Sequence, residues 1–473
     1  MNKARLFLSN FIIYGLCGVL PKLISFVMVP IMTHLMPDTS YYGISDMANT
    51  LESVASAVAV LGMYDAMYRL FFDDRDIEYQ KKICSTTLFF TISLSIVVAI
   101  AMVVFRSFLS ASFFKDEKYI LLVLLTTIST VIGSTNSIIA APTRMQNQRG
   151  RYLVIQFLSS FVAYPIAIFL LMRGHYTTAL IISGIFTRLF LEITYFIVNR
   201  KWFHAGYVDF KLLKPLLSIA LPIFPVFIVY WVFNSCDRLM ITSSLGLGES
   251  GIYAVGAKLG SISGIIHLAF SGGWQFFAFS TMNEEDQVKN NSVMFEYLGI
   301  VSFIGTMFIC SIAYPFYKLL FKPEYLKGYI VSPYLFLAPL ILMLYQVLNS
   351  QFVIIKKTWP NLLIVSFGAV FNVFFNWVLI PVIGIEGAAI STLAGYLITV
   401  IICTVVLHKM KLFVFSGRFL VSCVIIIGYF VFWRISFSQK IMIGFPLAII
   451  GSACMVFFYK DDLKKLVYKI LKK

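Results

Sequence analysis

Residues 83–105 read ICSTTLFFTISLSIVVAIAMVVF, 23 positions without a formal charge, bounded by Lys81-Lys82 on one side and Arg106 on the other. An α-helix rises about 1.5 Å per residue, so about 20 apolar residues carry it across the roughly 30 Å hydrocarbon core of a bilayer. An unpaired backbone group in that core costs several kcal/mol, which leaves helices and closed barrels as the spanning forms. A long, unbroken apolar run without strand-like alternation selects the helix.

The rest of the chain repeats the pattern. Of 473 residues 59% are hydrophobic and 13% charged, with a mean hydropathy of +0.87; soluble domains carry roughly 25% charged residues. Windows of spanning length fall near 10–36, 41–66, 83–105, 119–142, 152–172, 175–198, 216–245, 249–272, 291–317, 329–353, 360–381, 385–407, 416–437 and 441–459. This predicts an all-α integral membrane protein of about 14 transmembrane helices. The first window is too long for a signal-peptide core and lacks a small-residue cleavage site, so it reads as an uncleaved span.

The net charge of +16 belongs to loops, not to a basic soluble domain, which excludes a nucleic-acid partner. Cytoplasmic loops of membrane proteins are enriched in Lys and Arg. With both termini inside, 25 of the 38 basic residues fall in inner segments and nine in outer ones. The remaining four, Lys22, Arg188, Arg238 and Lys258, lie within spans. The basic tail, Lys460 to Lys473, is expected to rest on anionic membrane lipid.

Short loops leave no room for a soluble catalytic or nucleotide-binding domain. The chain contains no Walker-type glycine loop and no H-E-x-x-H. Its five histidines and seven cysteines are scattered singly, so no metal, disulfide, cofactor or catalytic residue is expected. The energy source that fits is an ion gradient, H+ or Na+, or the gradient of the cargo. A membrane-embedded polymerase or glycosyltransferase would be expected to add a large outer loop or a sugar-nucleotide domain; a transporter is expected, not an enzyme.

A faint internal repeat sets Gly43-Ile44 and Leu51 against Gly251-Ile252 and Leu259, each preceded by a Leu-Pro helix, Leu20-Pro21 and Leu221-Pro222. Around these stand Tyr14-Gly15 through Pro30, Thr33-His34-Leu35-Met36-Pro37 and Tyr42-Gly43. Further along come Ser235-Cys236-Asp237-Arg238, Leu245-Gly246-Leu247-Gly248, and Ile380-Pro381 through Ala388-Ala389. In order and spacing these pieces resemble the polysaccharide exporters, the Wzx-type O-antigen flippases of the multidrug/oligosaccharidyl-lipid/polysaccharide (MOP, MATE-like) superfamily. The family's usual Thr-Arg stands here as Thr33-His34, so no basic role carries over to that position.

The resemblance implies two six-helix lobes, 1–205 and 206–412, and a further helix pair with the tail, 413–473. It implies a multi-pass protein of the bacterial cytoplasmic membrane that moves undecaprenyl-diphosphate-linked oligosaccharide, an O-antigen or capsule repeat, between leaflets by alternating access. The partners implied are that lipid and a polysaccharide polymerase with its chain-length regulator. A multidrug exporter and a peptidoglycan-precursor flippase share the fold and remain alternatives.

A base at the centre of a spanning helix costs about 2.5 to 3.5 kcal/mol, so each needs water or a partner. Lys22, Arg188, Lys258 and Arg238 are the candidates for binding an anionic cargo. Against this, Arg188 and Glu192 stand four apart on one helix face and could neutralise each other. Lys22 could bond carbonyls freed by Pro21, and Asp237-Arg238 reads more readily as a structural pair. Glu52, Glu192, Asp65 and Glu296 are the acids available for ion coupling, each also a candidate ion-pair partner. The run Trp274-Gln275-Phe276-Phe277 reads as an interfacial belt or a sugar contact.

Overall fold

The computed structural model describes residues 24–282, 284–357 and 359–462. Lys22, Leu20-Pro21, Tyr14-Gly15 and the tail from Lys464 lie outside them. The described residues form α-helices and short 3-10 or π turns, with no strand among them.

In chain order the helices are α1 (Ile24–Leu35), α2 (Ser40–Val60), α3 (Met63–Phe71), α4 (Ile77–Val104), α5 (Arg106–Phe114), α6 (Ile120–Met145), α7 (Arg149–Met172) and α8 (Ala179–Asn199). There follow α9 (Leu213–Leu245), α10 (Leu247–Gly260), α11 (Ser263–Ser280), α12 (Gln287–Leu320) and α13 (Ser332–Ile354). The last are α14 (Trp359–Ile383), α15 (Ile385–Lys409), α16 (Gly417–Phe432) and α17 (Ile441–Phe458).

Eleven helical segments among the described residues are long and apolar enough to span, and the bent pair α2 and α3 makes a twelfth. Two expected spans differ from single rods. The second bends by 45°, because Leu61 (φ 48°) and Gly62 (φ 76°) adopt left-handed backbone. Gly62 also lies against α9, where an added Cβ would stand 2.8 Å from the carbonyl oxygen of Ala220. The eighth is divided into α10 and α11. At the break Ser261 Oγ donates to the carbonyl of Lys258 (2.7 Å) and Ser263 Oγ to that of Gly260 (2.9 Å), competing for helix acceptors.

The chain divides into two compact units, Leu20–Ala254 and, among described residues, Val255 onward. The dividing point falls within α10, so α9, the first helix after the expected lobe boundary at 205/206, belongs with the unit before it.

In the first unit, the repeat glycines explain themselves. A Cβ on Gly43 would lie 2.0 Å from the carbonyl oxygen of Leu247, and one on Gly251 would lie 2.0 Å from that of Thr39. The two motif glycines are therefore the crossing point of α2 and α10, each admitting the other helix's backbone. The α8–α9 connection is clamped by α4. Ser85 Oγ donates to the Trp202 carbonyl (3.2 Å) and accepts from His204 N–H (3.1 Å), while Thr86 Oγ1 accepts from Asp209 N–H (2.9 Å).

The second unit is held by side chains reaching across helices. Tyr317 OH donates to the Val255 carbonyl (2.9 Å) and Trp433 Nε1 to that of Cys310 (2.9 Å). Glu386 on α15 accepts from Arg434 Nε (2.7 Å) and Tyr334 OH (3.1 Å).

The exposed surface is strongly apolar, as a lipid solvent requires, while the interior mixes apolar side chains such as Met67 and Ile83 with hydroxyls and amides. Val97, Phe108, Val382 and Met442 are exposed, whereas Thr86, Thr91, Ser134 and Asn376 are fully buried. Many buried hydroxyls are satisfied within their own helix, as where Thr126 Oγ1 donates to Leu122 O (2.7 Å) and Thr130 Oγ1 to Thr126 O (2.9 Å). Small hydroxylated residues let helices approach closely without a stranded donor.

Candidate functional site: a polar cavity in the first unit

Four helices of the first unit turn polar stripes toward one another. On α2 the stripe is Asn49, Glu52, Ser53 and Ser56, at the i, i+3, i+4, i+7 spacing of one helix face. Opposite it α8 brings Ser183, Thr187 and Arg188, while α6 contributes Asn136 and α7 contributes Gln156 and Ser159. They line a cavity of about 600 Å³.

An ion pair crosses its wall. Arg188 Nη2 lies 2.6 Å from Glu52 Oε1, and Ser129 Oγ of α6 donates to Glu52 Oε2 at 3.0 Å. Two glycines make room for it. A Cβ on Gly184, one turn before Arg188, would lie 2.9 Å from Arg188 Nη1, and one on Gly133 would lie 3.1 Å from Glu52 Oε1. Arg188 lies about 14 Å along α8 at the helical rise per residue, near its middle. In so apolar a bundle each charge supplies what the other would lose by leaving water.

Arg188 and Glu52 are thus brought together, and Arg188 reaches across to α2 and not to Glu192 on its own helix. Glu192 instead faces Thr135 and Asn136 of α6, with its Oε2 buried and without a hydrogen-bond partner among the described residues. Arg238 on α9 bridges two acids, with Nε 2.8 Å from Asp46 Oδ2 on α2 and Nη1 3.7 Å from Asp237 Oδ1. Tyr253 OH donates to Asp237 Oδ2, which ties α10 into the same knot. Asp65 is half-buried in the first turn of α3, where a negative charge suits the helix dipole.

The other candidates belong to the second unit. Lys258 stands in the last turn of α10. Glu296 on α12 accepts from Arg418 Nε (3.2 Å) and Tyr459 OH (3.1 Å), fastening α12 to α16 and to the end of the described chain. Trp274 is neither belt nor open platform; it is 4% exposed and stacked on Phe270 at 5.4 Å.

Sequence reading missed Asp46, Ser129 and the cavity stripes, and it missed Trp231 on α9, whose Nε1 donates to Ser53 Oγ at 2.9 Å. The α2 stripe was visible in principle as Asn, Glu, Ser and Ser at helical spacing inside an apolar run. Asp46 and Ser53, seven apart on α2, meet Arg238 and Trp231, seven apart on α9, so the two helices run antiparallel with two polar contacts in register.

These helices build a polytopic all-α bundle whose fold is shared with solved proteins of the MOP superfamily. The inward closed lipid II flippase MurJ superposes with a TM-score of 0.71 at 14% identity, over 96% of this chain and 100% of that one. An inward-facing multidrug resistance MATE family transporter gives 0.61 at 14% identity, over 85% of this chain and 98% of that one. A MOP superfamily transporter from Pyrococcus furiosus gives 0.51 at 14% identity, over 87% and 96%. No curated protein matches the sequence. The family model described as polysaccharide biosynthesis protein matches residues 31–329, and the chain belongs to that family.

Proposed function

We propose that this chain is a flippase that carries undecaprenyl-diphosphate-linked oligosaccharide units, O-antigen or capsule repeats, from the inner to the outer leaflet of the bacterial cytoplasmic membrane. The observation that carries the reading is the polar, ion-paired cavity set midway along apolar helices in a chain of the polysaccharide biosynthesis family. A polar chamber inside a lipid-facing bundle suits a hydrophilic head, while the tail of such a cargo stays in the bilayer. The likeness to a lipid II flippase supports a lipid-borne cargo.

Alternating access would use the lobes 1–205 and 206–412, with 413–473 as an added pair and both termini cytoplasmic. Of the four proposed cations, Lys258 and Lys22 are the ones we assign to the charged part of the cargo, while Arg188 stands in the cavity wall paired with Glu52. Arg238, already shared by two acids, serves best as a fixed strut. Glu192, with a carboxylate oxygen unengaged among described residues, is the acid we assign to H+ or Na+ coupling ahead of Glu52, Asp65 and Glu296. Replacing Glu192 by Gln is expected to leave ion-independent equilibration of the lipid intact and to remove its acceleration by an imposed gradient.

The deciding experiment is deletion in the native host, scoring surface polysaccharide and the leaflet in which the lipid-linked oligosaccharide collects. Loss of the polysaccharide with the intermediate held on the inner leaflet is expected. Normal polysaccharide with new sensitivity to cationic drugs would move the assignment to a multidrug exporter of the same fold.

A further inference from the structure

The cavity of the first unit carries a charge balance that narrows what it holds. Among the described residues its lining contains one carboxylate and one guanidinium, Glu52 and Arg188, and they are paired with each other at 2.6 Å. Their formal charges cancel. A diphosphate would meet an arginine already committed to an acid, and displacing that acid would strand a carboxylate in a low-dielectric wall.

The remaining polar groups are neutral: three amides, Asn49, Asn136 and Gln156, and the hydroxyls of Ser53, Ser56, Ser159, Ser183 and Thr187. The amides can donate and accept, as a ring of vicinal hydroxyls requires, while Ser53 and Ser159 already donate to the Thr50 and Gln156 carbonyls and offer acceptors. Ser56 Oγ is buried and has no hydrogen-bond partner among the described residues, so part of this capacity is unspent. The volume of about 600 Å³ lies inside the roughly 300–1,000 Å³ range of small-molecule sites.

An aromatic ring just outside the lining is tied to it by one hydrogen bond. Trp231 is half-buried, and its indole N–H is used up on Ser53 Oγ, which itself lines the cavity. That bond fixes the ring's position, and among the described residues no other aromatic ring lies against it. An indole face carries negative partial charge and attracts the C–H face of a pyranose, whose hydroxyls point outward to amides and acids.

We infer that this cavity is the sugar subsite of the cargo head, taking a pyranose of no net charge, with Trp231 as its stacking platform and the diphosphate held elsewhere along the path. The inference rests on the oligosaccharide reading above and says which part of that cargo sits here.

The test uses the full-length protein in detergent and in proteoliposomes, with two probes: the undecaprenyl-diphosphate-linked oligosaccharide extracted from the host, and undecaprenyl diphosphate without sugar. Wild-type protein is expected to bind and move the sugar-bearing lipid in preference to the bare one. Trp231→Ala is expected to lose that preference, with at least a tenfold loss for the sugar-bearing lipid and unchanged binding of undecaprenyl diphosphate, while Trp231→Phe stays within threefold of wild type. Unchanged binding of the bare lipid shows in the same preparation that the variant is folded. Equal losses for both probes, or no loss for either, overturn the subsite. Wild-type protein that moves both lipids equally overturns the subsite alone, and wild-type protein that binds and moves neither overturns the flippase reading.

Discussion

The ion pair between Glu52 and Arg188 is the strongest constraint that single side chains place on this protein. Arg188 keeps about a quarter of its side-chain surface open, at 28%, while Glu52 keeps 11%. Removing either partner leaves a charge in the wall of the bundle, so Glu52→Ala and Arg188→Ala are each expected to lower stability by about 3 kcal/mol, the low end for broken buried pairs. The double variant should lose clearly less than the sum, since it strands neither charge. Thermal unfolding in detergent, run as a double-mutant cycle, measures this; additive losses would show that the two residues do not depend on each other. Hydropathy alone could not foretell the pairing. It located both charges in spans, but the partner of Arg188 was decided by where Gly133 and Gly184 allow α2, α6 and α8 to bring side chains together, and Glu192 at i+4 was the only candidate that one helix could show.

At the scale of elements, close approach between backbones does the positioning. The α2–α10 crossing at Gly43 and Gly251 has no room for a methyl group against the carbonyls of Leu247 and Thr39. Gly43→Ala and Gly251→Ala should each therefore destabilise by about 3 kcal/mol, at the upper end for overpacking. The same change at Gly428 on α16, where an added Cβ meets nothing within 4 Å, should be neutral or stabilise by up to about 1 kcal/mol through helix propensity. Thermal midpoints of the three purified variants separate the cases, and a Gly43→Ala protein as stable as Gly428→Ala would show that the helices can part freely. The short repeat around these glycines was legible as a pattern, and the contact supplies its physical reason. The bend at Leu61–Gly62 was less legible, because a lone glycine in an apolar run is common in membrane helices. What singles out Gly62 is its positive φ and the carbonyl of Ala220 behind it, and that carbonyl belongs to a distant helix.

For the whole molecule, apolar length predicts about 14 spans, and among the described residues eleven helices of spanning length and one bent pair are present. The second and eighth predicted spans are the exceptions to one helix per crossing, and the eighth is the more divided. It appears as α10 and α11, with 14 and 18 residues, together about 48 Å of helix at 1.5 Å per residue. That exceeds the roughly 30 Å hydrocarbon core and leaves slack for the break at Ser261 and Ile262. If the pair crosses as one broken span, Ser244 before it and Glu285 after it face opposite sides of the membrane. Both residues are exposed, so a cysteine at either, in a background freed of the native cysteines, should react with a membrane-impermeant maleimide from one side only. We expect Ser244→Cys to label from outside in intact spheroplasts and Glu285→Cys only after permeabilisation. Labelling of both from outside would make α10 and α11 a re-entrant hairpin. Parity would then put the later basic segments, Lys356-Lys357 and Lys409 with Lys411, on the outer face, against the bias that orients membrane helices, unless a second segment also failed to cross.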